Sequence, residues 1–390
     1  MRVLMVTEVP PHLPAHDPAR LAPAYLLTHL AKRHRIALNT PEVPADTPAQ
    51  RAWPTSLAAV TRVPLTRWRQ PFTGAPAEGL AAVRAVALKA VAEWRPDVVH
   101  LEGMLLAPLA AALPVPAVVG CRESAVRRAR DARRLATSPH DWVRAQLDER
   151  RDTEWEQRWL PAARGIVVGS EADRGIVAER VPFARIDVVP GGVDETRYEF
   201  RRGGEPTRLV FAGNLARPTH RDAARRLALR VLPLVRRALP SAELLVVGGG
   251  PAAALRALAQ TPGVRVAGAT ADLRPSIWSA SALLVPAEAT PGVEAAVLEA
   301  MALGTPVIIS SRTLSGLVHV LPGQHVLVAE TDAELAEAAV LVLREPVVAT
   351  TLAANARQML ERRYTWSAVA RAYTALWARA VDAAPATVAA

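Results

Sequence analysis

Lysine is almost missing from this chain. Lys32 and Lys89 are the only two in 390 residues, and every other basic side chain is an arginine. The net charge of +10 therefore reflects a compositional preference for arginine, beside abundant Ala, Pro and Val, more than a built electrostatic surface. No zinc-finger spacing, homeodomain pattern or aromatic RNA-binding box accompanies the charge, so sequence-specific nucleic-acid binding is not expected. Cysteine is reduced to Cys121, which excludes an intrachain disulfide and a cysteine metal site and fits a reducing compartment. Nowhere do about twenty apolar residues run together, so no transmembrane helix is expected. The opening "MRVLMVTEVPPH" has an apolar run too short for a signal peptide. The expected location is the cytoplasm, with a peripheral contact on the inner face of a membrane as an extension of that expectation.

What the chain does have is alternation. Short apolar runs (Arg2–Thr7, Arg35–Asn39, "PDVVHLEG", "VPAVVGC", "GIVVGSE", "IDVVPGGVD") alternate with helical stretches (Arg20–Arg33, Leu80–Trp94 and the long charged span Arg122–Leu160), and a Pro-rich loop is expected over Pro41–Pro76. The pattern restarts near Pro190–Arg202 with Arg208–Ala212, a helix over Asp222–Ala238, "AELLVVGGGP", "VRVAG", "ALLVPAE", "TPVIIS" and "HVLVAE". This predicts an α/β protein of two doubly wound, Rossmann-like halves with parallel sheets, residues 1–190 and 191–390. Ligands of such sheets bind beyond the carboxyl ends of the strands, so the loops after "VVHLEG", "VFAGN", "LLVVGGG" and "LLVPAEATPG" are the candidates.

Three stretches carry potential chemistry. "DVVHLEG" puts His100 and Glu102 two apart at a strand end, on one face, where a histidine can move protons; a hydrogen-bonded structural histidine is the competing reading. "VVGGGPAAAL" fits a dinucleotide turn with Gly248 and Gly249, although tight strand-to-helix packing explains such glycines equally and the first strand lacks the turn. "TPGVEAAVLEAMALGTPVIIS" predicts a helix capped by Thr290, with Pro291 in its first turn and its end at Gly304. Val297, Ala300, Met301 and Gly304 form the core stripe of that helix, and Glu299 lies on another face beside Ala295, Ala296 and Ala302. The span Arg122–Arg164 mixes arginines with Glu123, Asp131, Asp148, Glu149, Asp152, Glu154 and Glu156, which reads as a salt-bridged, solvated face.

Taken in order, "VVPGGVDETRY", "LVFAGNL", "AELLVVGGGP" and "LLVPAEATPGVEAAVLEAMALGTPVIIS" resemble the donor-binding signature of GT-B glycosyltransferases of the GT4 type (glycosyl transferases group 1). The resemblance is nearest to bacterial sugar transferases associated with exopolysaccharide genes. The ending "RYTWSAVARAYTALW" resembles the family's closing helix, here about 366–382, which returns to the N-terminal domain. The resemblance implies an acceptor-binding N-terminal domain, a nucleotide-sugar-binding C-terminal domain and an interdomain cleft. It also implies glycosyl transfer to a saccharide or lipid-linked acceptor with retention, no metal and no cofactor, in cell-surface polysaccharide or glycoconjugate synthesis.

Residue by residue, the resemblance assigns Glu299 to the ribose hydroxyls. Pro291, Gly292, Val293 and Glu294 would hold the diphosphate, where a helix start offers free N–H groups. Gly213, Asn214, Arg217, Arg221, Gly248 and Gly249 would complete the donor site, and His100 and Glu102 would serve transfer. The chain departs from the pattern at Pro291, where the family carries a second Glu, and at Asn214, where it carries Arg. The usual Lys soon after is absent, the family's second strand-end His is Glu102, and the first loop reads "EVPPHLPAHDPAR" in place of a glycine pair. These departures keep an inactive sugar-nucleotide-binding protein open as an alternative, and the glycine turn keeps an NAD(P)-linked oxidoreductase open.

Overall fold

The computed structural model describes the chain except residues 13–17, 43–55, 65–76, 135, 137, 202–203, 271, 288–293 and 384–390. It divides into two units, Met1–Gly192 with Trp366–Ala390, and Val193–Thr365.

The first unit is built on a parallel sheet of seven strands: β1 (Arg2–Thr7), β2 (Arg35–Glu42), β3 (Ala59–Pro64), β4 (Val98–Glu102), β5 (Ala117–Cys121), β6 (Gly165–Val168) and β7 (Ile186–Val188). Their order is β3-β2-β1-β4-β5-β6-β7. "VLMV", "VVHLE" and "AVVGC" lack polar alternation because both faces of a central parallel strand are covered, and every residue of β4 and β5 is buried. β3 falls inside the span expected to be loop. Val60, Thr61 and Val63 favour a strand, but β3 lies at the sheet edge, mostly exposed, and ends at Pro64, so its apolar signal is weak. The charged span expected to be one mostly helical stretch is two helices, Ala125–Arg134 and Pro139–Trp159. Ser138 starts the second by accepting the Asp141 N–H at 3.1 Å, and Pro139 occupies its first turn.

The last helix, Trp366–Asp382, belongs to this first unit. Trp366, Val369, Ala370, Tyr373, Leu376, Trp377 and Ala380 recur at helical spacing and are buried in one cluster with Val3, Met5, Leu26, Leu27, Leu30 and Val98. Tyr25 stacks on Trp366 at 5.2 Å between ring centroids. These contacts cover the sheet face that the helix Pro18–Leu30 leaves open.

The second unit has six parallel strands: β8 (Glu205–Ala212), β9 (Glu243–Val247), β10 (Val264–Gly268), β11 (Ala280–Val285), β12 (Val307–Ile309) and β13 (Leu327–Val328), in the order β10-β9-β8-β11-β12-β13. Its chain enters and leaves side by side: Val193 bridges Thr365, and its N–H donates to Tyr364 O at 2.6 Å. Tyr364 is fully buried, and its hydroxyl donates to the Val318 carbonyl. None of the described helices is long and apolar enough to cross a membrane.

Candidate functional site

In each sheet the strand order reverses once, between β1 and β4 in the first unit and between β8 and β11 in the second. The loops at the carboxyl ends of these strand pairs flank the crevice where open parallel sheets receive ligands. The candidate residues gather at these two places.

In the second unit, backbone fills the space after β8. Gly213 donates its N–H to Val247 O at 3.0 Å, so the ends of β8 and β9 are tied together. Gly248 has φ +143°, and a Cβ there would stand 1.8 Å from Gly213 O. A Cβ on Gly250 would meet Leu215 at 2.6 Å. Close approach of two loops thus explains the glycine-rich turn without a dinucleotide. Asn214 Oδ1 accepts the Ala216 N–H at 3.0 Å, and Asn214 O accepts the Arg217 N–H at 3.0 Å, which together turn the chain into the helix Pro218–Arg226. Arg217 is the exposed N-cap residue of that helix. Arg221 folds back, and its Nη1 donates to the carbonyls of Leu215 and Ala216 at 3.0 and 2.8 Å.

The helix after β11 spans Glu294–Leu303 and ends at Gly304 with φ +88°. Pro291, Gly292 and Val293 lie outside the described residues, as does the expected cap Thr290; Glu294 opens the helix. The helix is buried nearly all round. Val297, Ala300 and Met301 are enclosed as the stripe requires, but so are Ala296, Leu298 and Ala302. Of the three alanines beside Glu299, Ala295 is exposed, while Ala296 and Ala302 are buried.

Glu299 itself is half-buried within a polar group that the sequence did not announce. Burial raises its pKa, and Asp272 adds to the rise; a hydrogen bond from Tyr198 and the charges of Arg197 and Arg274 oppose it. Burial also raises the Tyr198 hydroxyl, as does the Glu299 charge, so the phenol keeps its proton and donates. Arg274 holds Asp272 through Nε and Nη2, both at 2.8 Å, and donates from Nη1 to Arg197 O at 2.9 Å. Arg357 donates to Tyr198 O at 2.9 Å and to Ala302 O on the Glu299 helix. Two arginines thus clamp residues 197–198 beside Glu299. Tyr198 stands in the quoted "VVPGGVDETRY" motif, yet nothing in spacing alone points a side chain at residue 299.

In the first unit, side chains fill the corresponding place. His100 and Glu102 do share a face of β4, with Nε2 of His100 2.9 Å from Oε2 of Glu102. Trp377 Nε1, which can only donate, lies 3.4 Å from His100 Nδ1, so Nδ1 accepts and Nε2 carries the proton given to Glu102. The His100 ring is also edge-on to Tyr373 and has no exposed surface. The reading of His100 as a proton-moving residue is corrected in favour of the structural one: the closing helix seals its ring, and it acts as the holder of Glu102. Arg122 Nε donates to the other oxygen, Oε1, at 2.8 Å. Burial works to raise the Glu102 pKa, but Arg122 and His100 pull it down to about 2. A carboxylate so held stays ionised and does not carry protons near neutral pH.

The proton-bearing carboxyl is one the sequence reading passed over. Glu8 follows β1, and its Oε1 accepts the Leu105 N–H at 2.5 Å. Burial pushes its pKa up to about 7, reinforced by the Glu102 charge and opposed by Leu105 N–H and Arg128. Gly103, with φ +130°, makes its room: a Cβ there would lie 2.1 Å from Glu8 Cδ. Gly120 does the same for Glu102, 2.5 Å from Oε2. The available signal was a Glu ending an apolar strand where a glycine pair was expected.

Elsewhere, the arginines of Ala125–Arg134 are paired as the composition suggested. Arg127 meets Asp173 at 2.6 Å, Arg130 and Arg133 meet Glu149 at 2.9 and 2.7 Å, and Arg134 meets Asp131 at 2.6 Å. Among the described residues, no three His, Cys, Asp or Glu side chains are grouped to hold a metal ion.

With the geometry in place, comparison with known proteins gives a consistent answer. The family described as Glycosyl transferases group 1 matches residues 206–345, and that described as Glycosyltransferase Family 4 matches residues 24–197. A glycogen synthase of Mycobacterium tuberculosis is 30% identical over 314 residues, covering 75% of this chain and 71% of the relative. Among solved structures, sucrose-phosphate synthase from Thermosynechococcus elongatus superposes with a TM-score of 0.67 at 18% identity, over 97% of this chain and 98% of that one. HepE from Anabaena, solved in complex with UDP and glucose, gives 0.63 at 14% identity over 97% and 99%. These structures share the GT-B architecture of two parallel-sheet, Rossmann-like domains. The chain is a glycosyltransferase acting on nucleotide sugars, and it belongs to the group 1, family 4 glycosyltransferases.

Proposed function

We propose that this enzyme moves a sugar from a nucleotide-sugar donor to a hydroxyl of a saccharide or lipid-linked acceptor, with retention and without a metal or cofactor, in cell-surface polysaccharide or glycoconjugate synthesis. The donor belongs to the second unit. Its ribose hydroxyls donate to Glu299, and its diphosphate meets the loop after β8 (Gly213, Asn214, Arg217, Arg221), Gly248 and Gly249, and the start of the Glu294 helix, where free backbone N–H groups of the first turn face an anion. The acceptor belongs to the first unit, at the carboxyl ends of β1 and β4. There the buried Glu102, held by His100 and Arg122, is a fixed negative charge, and Glu8 beside it is the group that can exchange a proton near neutral pH. The charge that develops on the leaving diphosphate is met by fixed N–H groups and arginines. The exposed Trp142, Val143 and Leu147, beside the arginine helix, support a peripheral membrane contact as part of this reading.

The observation that carries the proposal is Glu299: a half-buried carboxyl on the helix that follows the strand-order reversal, raised in pKa by burial and Asp272 against the opposing hydrogen bond of Tyr198 and charges of Arg197 and Arg274. The HepE complexes with UDP support a nucleotide diphosphate donor by analogy of fold. The test is calorimetric titration of ADP, GDP and UDP into wild type and Glu299→Ala. Hydrogen bonds to a charged group contribute about 1.5–3 kcal/mol, so the variant should bind about ten- to a hundredfold more weakly. Wild-type affinity in the variant, with the fold intact, refutes the ribose role.

A further inference from the structure

Resting on the reading of Glu299 as the ribose acceptor, we infer that Tyr198 is a positioning residue for the donor ribose: its hydroxyl fixes one oxygen of Glu299 and leaves the remaining lone pairs aimed at the ribose hydroxyls.

The geometry supports this in three ways. Tyr198 is held at its backbone, since Arg357 joins its carbonyl to that of Ala302 on the Glu299 helix and Arg274 ties down Arg197. Its ring packs against the core of the second unit, so the hydroxyl has little freedom. Its hydrogen bond goes to Glu299. A carboxylate has about four lone-pair sites, so one taken by a phenol leaves enough for a ribose diol. The phenol has no acidic competitor: burial and the neighbouring carboxylate keep it protonated, and it can only give its proton to an acceptor such as Glu299.

The same group explains why a fixed donor is needed. The charged groups facing Glu299 are Asp272, which disfavours its ionisation, and Arg197 and Arg274, which favour it. Arg274 is already engaged twice by Asp272, so much of its charge is spent there. Burial remains the largest influence and raises the carboxyl. Without the Tyr198 hydroxyl, a larger fraction of Glu299 is protonated at mildly acidic pH, and a protonated carboxyl is a poorer acceptor for a diol.

The experiment compares Tyr198→Phe, Glu299→Ala and wild type, full chain, by calorimetry with ADP, GDP and UDP and with their 2′,3′-dideoxy counterparts, from pH 5 to pH 8. Phenylalanine keeps the buried ring, and thermal unfolding checks that the fold is retained. The expected result is a three- to tenfold loss of ribonucleotide affinity in Tyr198→Phe, no loss for the dideoxy probe, and an acid limb of ribonucleotide binding moved to higher pH. Equal losses for both probes, or an unmoved acid limb, overturn the inference, because a merely structural tyrosine acts on both probes alike. If Glu299→Ala leaves the preference for ribose over dideoxyribose unchanged, or no nucleotide binds wild type, the ribose reading itself fails and the inference with it. A Glu299→Ala effect without a Tyr198→Phe effect overturns the inference alone.

Discussion

The two sheets of this protein solve one topological problem with opposite materials. Where strand order reverses in the second unit, the space after β8 and β9 is left to backbone: Gly213 and Gly248 touch main chain to main chain, and Glu299 stands on the helix after β11. Where it reverses in the first unit, carboxylates crowd the strand ends themselves. Glu8 and Glu102 press against Gly103 and Gly120, which are small so that these side chains fit. Backbone without side chains lets an anion come close to main-chain dipoles, even where, as at Gly213 and Gly248, the N–H groups themselves are given to Val247 O and Gly268 O. A carboxylate pair presents acceptors to hydroxyls and repels an anion. The difference suits a diphosphate-bearing ligand on one unit and a hydroxyl-bearing ligand on the other, and it is a difference of glycine use as much as of charge.

The comparison breaks most severely at Gly248. Its φ of +143° is one that side chains avoid, and its Cβ would overlap Gly213 O, a main-chain atom that cannot swing aside. Gly248→Ala is expected to cost about 3 kcal/mol or more of stability, through backbone strain and displacement of the β8 loop. Urea unfolding of the variant measures it. A cost under about 0.5 kcal/mol, the range of plain surface changes, would show that the two loops are not locked together.

How much of this was legible beforehand follows from what each signal depends on. Apolar runs and turn residues act locally, so twelve of the thirteen strands among the described residues could be placed, and the edge strand Ala59–Pro64 escaped because an edge has no buried face to mark it. Helix starts were less secure: the break at Ser138 and Pro139 was readable as a capping signal but was obscured by charge on both sides. Candidate residues could be named where a motif is contiguous, as with Glu299, His100 and Glu102. Partners from distant segments were missed. Tyr198 and Arg274 reach Glu299 from other segments, Arg122 reaches Glu102 from the end of β5, and Trp377 closes on His100 from a helix 277 residues later. Burial was the other hidden quantity. Two residues apart in a strand means one face, but only the packed closing helix decides that His100 is enclosed.

The first unit's carboxylate pair gives the next test, in pH dependence. Glu8 has a folded pKa of about 7 against an ordinary value of 4.5. The native state therefore holds a proton that the unfolded chain has released between those values, and stability falls as pH rises from about 4.5 to 7, then levels. Glu102 behaves oppositely: with a folded pKa of about 2 it stabilises above 4.5, and that contribution is lost as pH falls toward 2. Glu8→Gln keeps an acceptor for Leu105 N–H and removes the charge. It should raise stability at pH 8 by on the order of 2–3 kcal/mol relative to wild type and change little at pH 4. Chemical denaturation at the two pH values decides it. An equal effect at both would mean that Glu8 is ionised in the native state throughout, and that the two carboxylates of this unit are alike.

The smallest expected effect sharpens the other side of the comparison. If the backbone around β8 receives a diphosphate, its one inward-folded arginine should contribute charge rather than only structure. Arg221 Nη1 is held by the Leu215 and Ala216 carbonyls, which fixes the guanidinium at the carboxyl end of β8. Removing it loses those two bonds, about 1 kcal/mol of stability. It should also lose a cation near the phosphates, half-screened at physiological salt. Arg221→Gln is therefore expected to weaken nucleoside diphosphate binding three- to tenfold, about 0.7–1.4 kcal/mol, while leaving the monophosphate nearly unchanged and flattening the salt dependence of diphosphate affinity. Calorimetry with UDP and UMP, GDP and GMP, and ADP and AMP at two salt concentrations reads both. Equal weakening of mono- and diphosphate would assign Arg221 to loop structure alone, leaving the start of the Glu294 helix as the phosphate site proposed for the second unit.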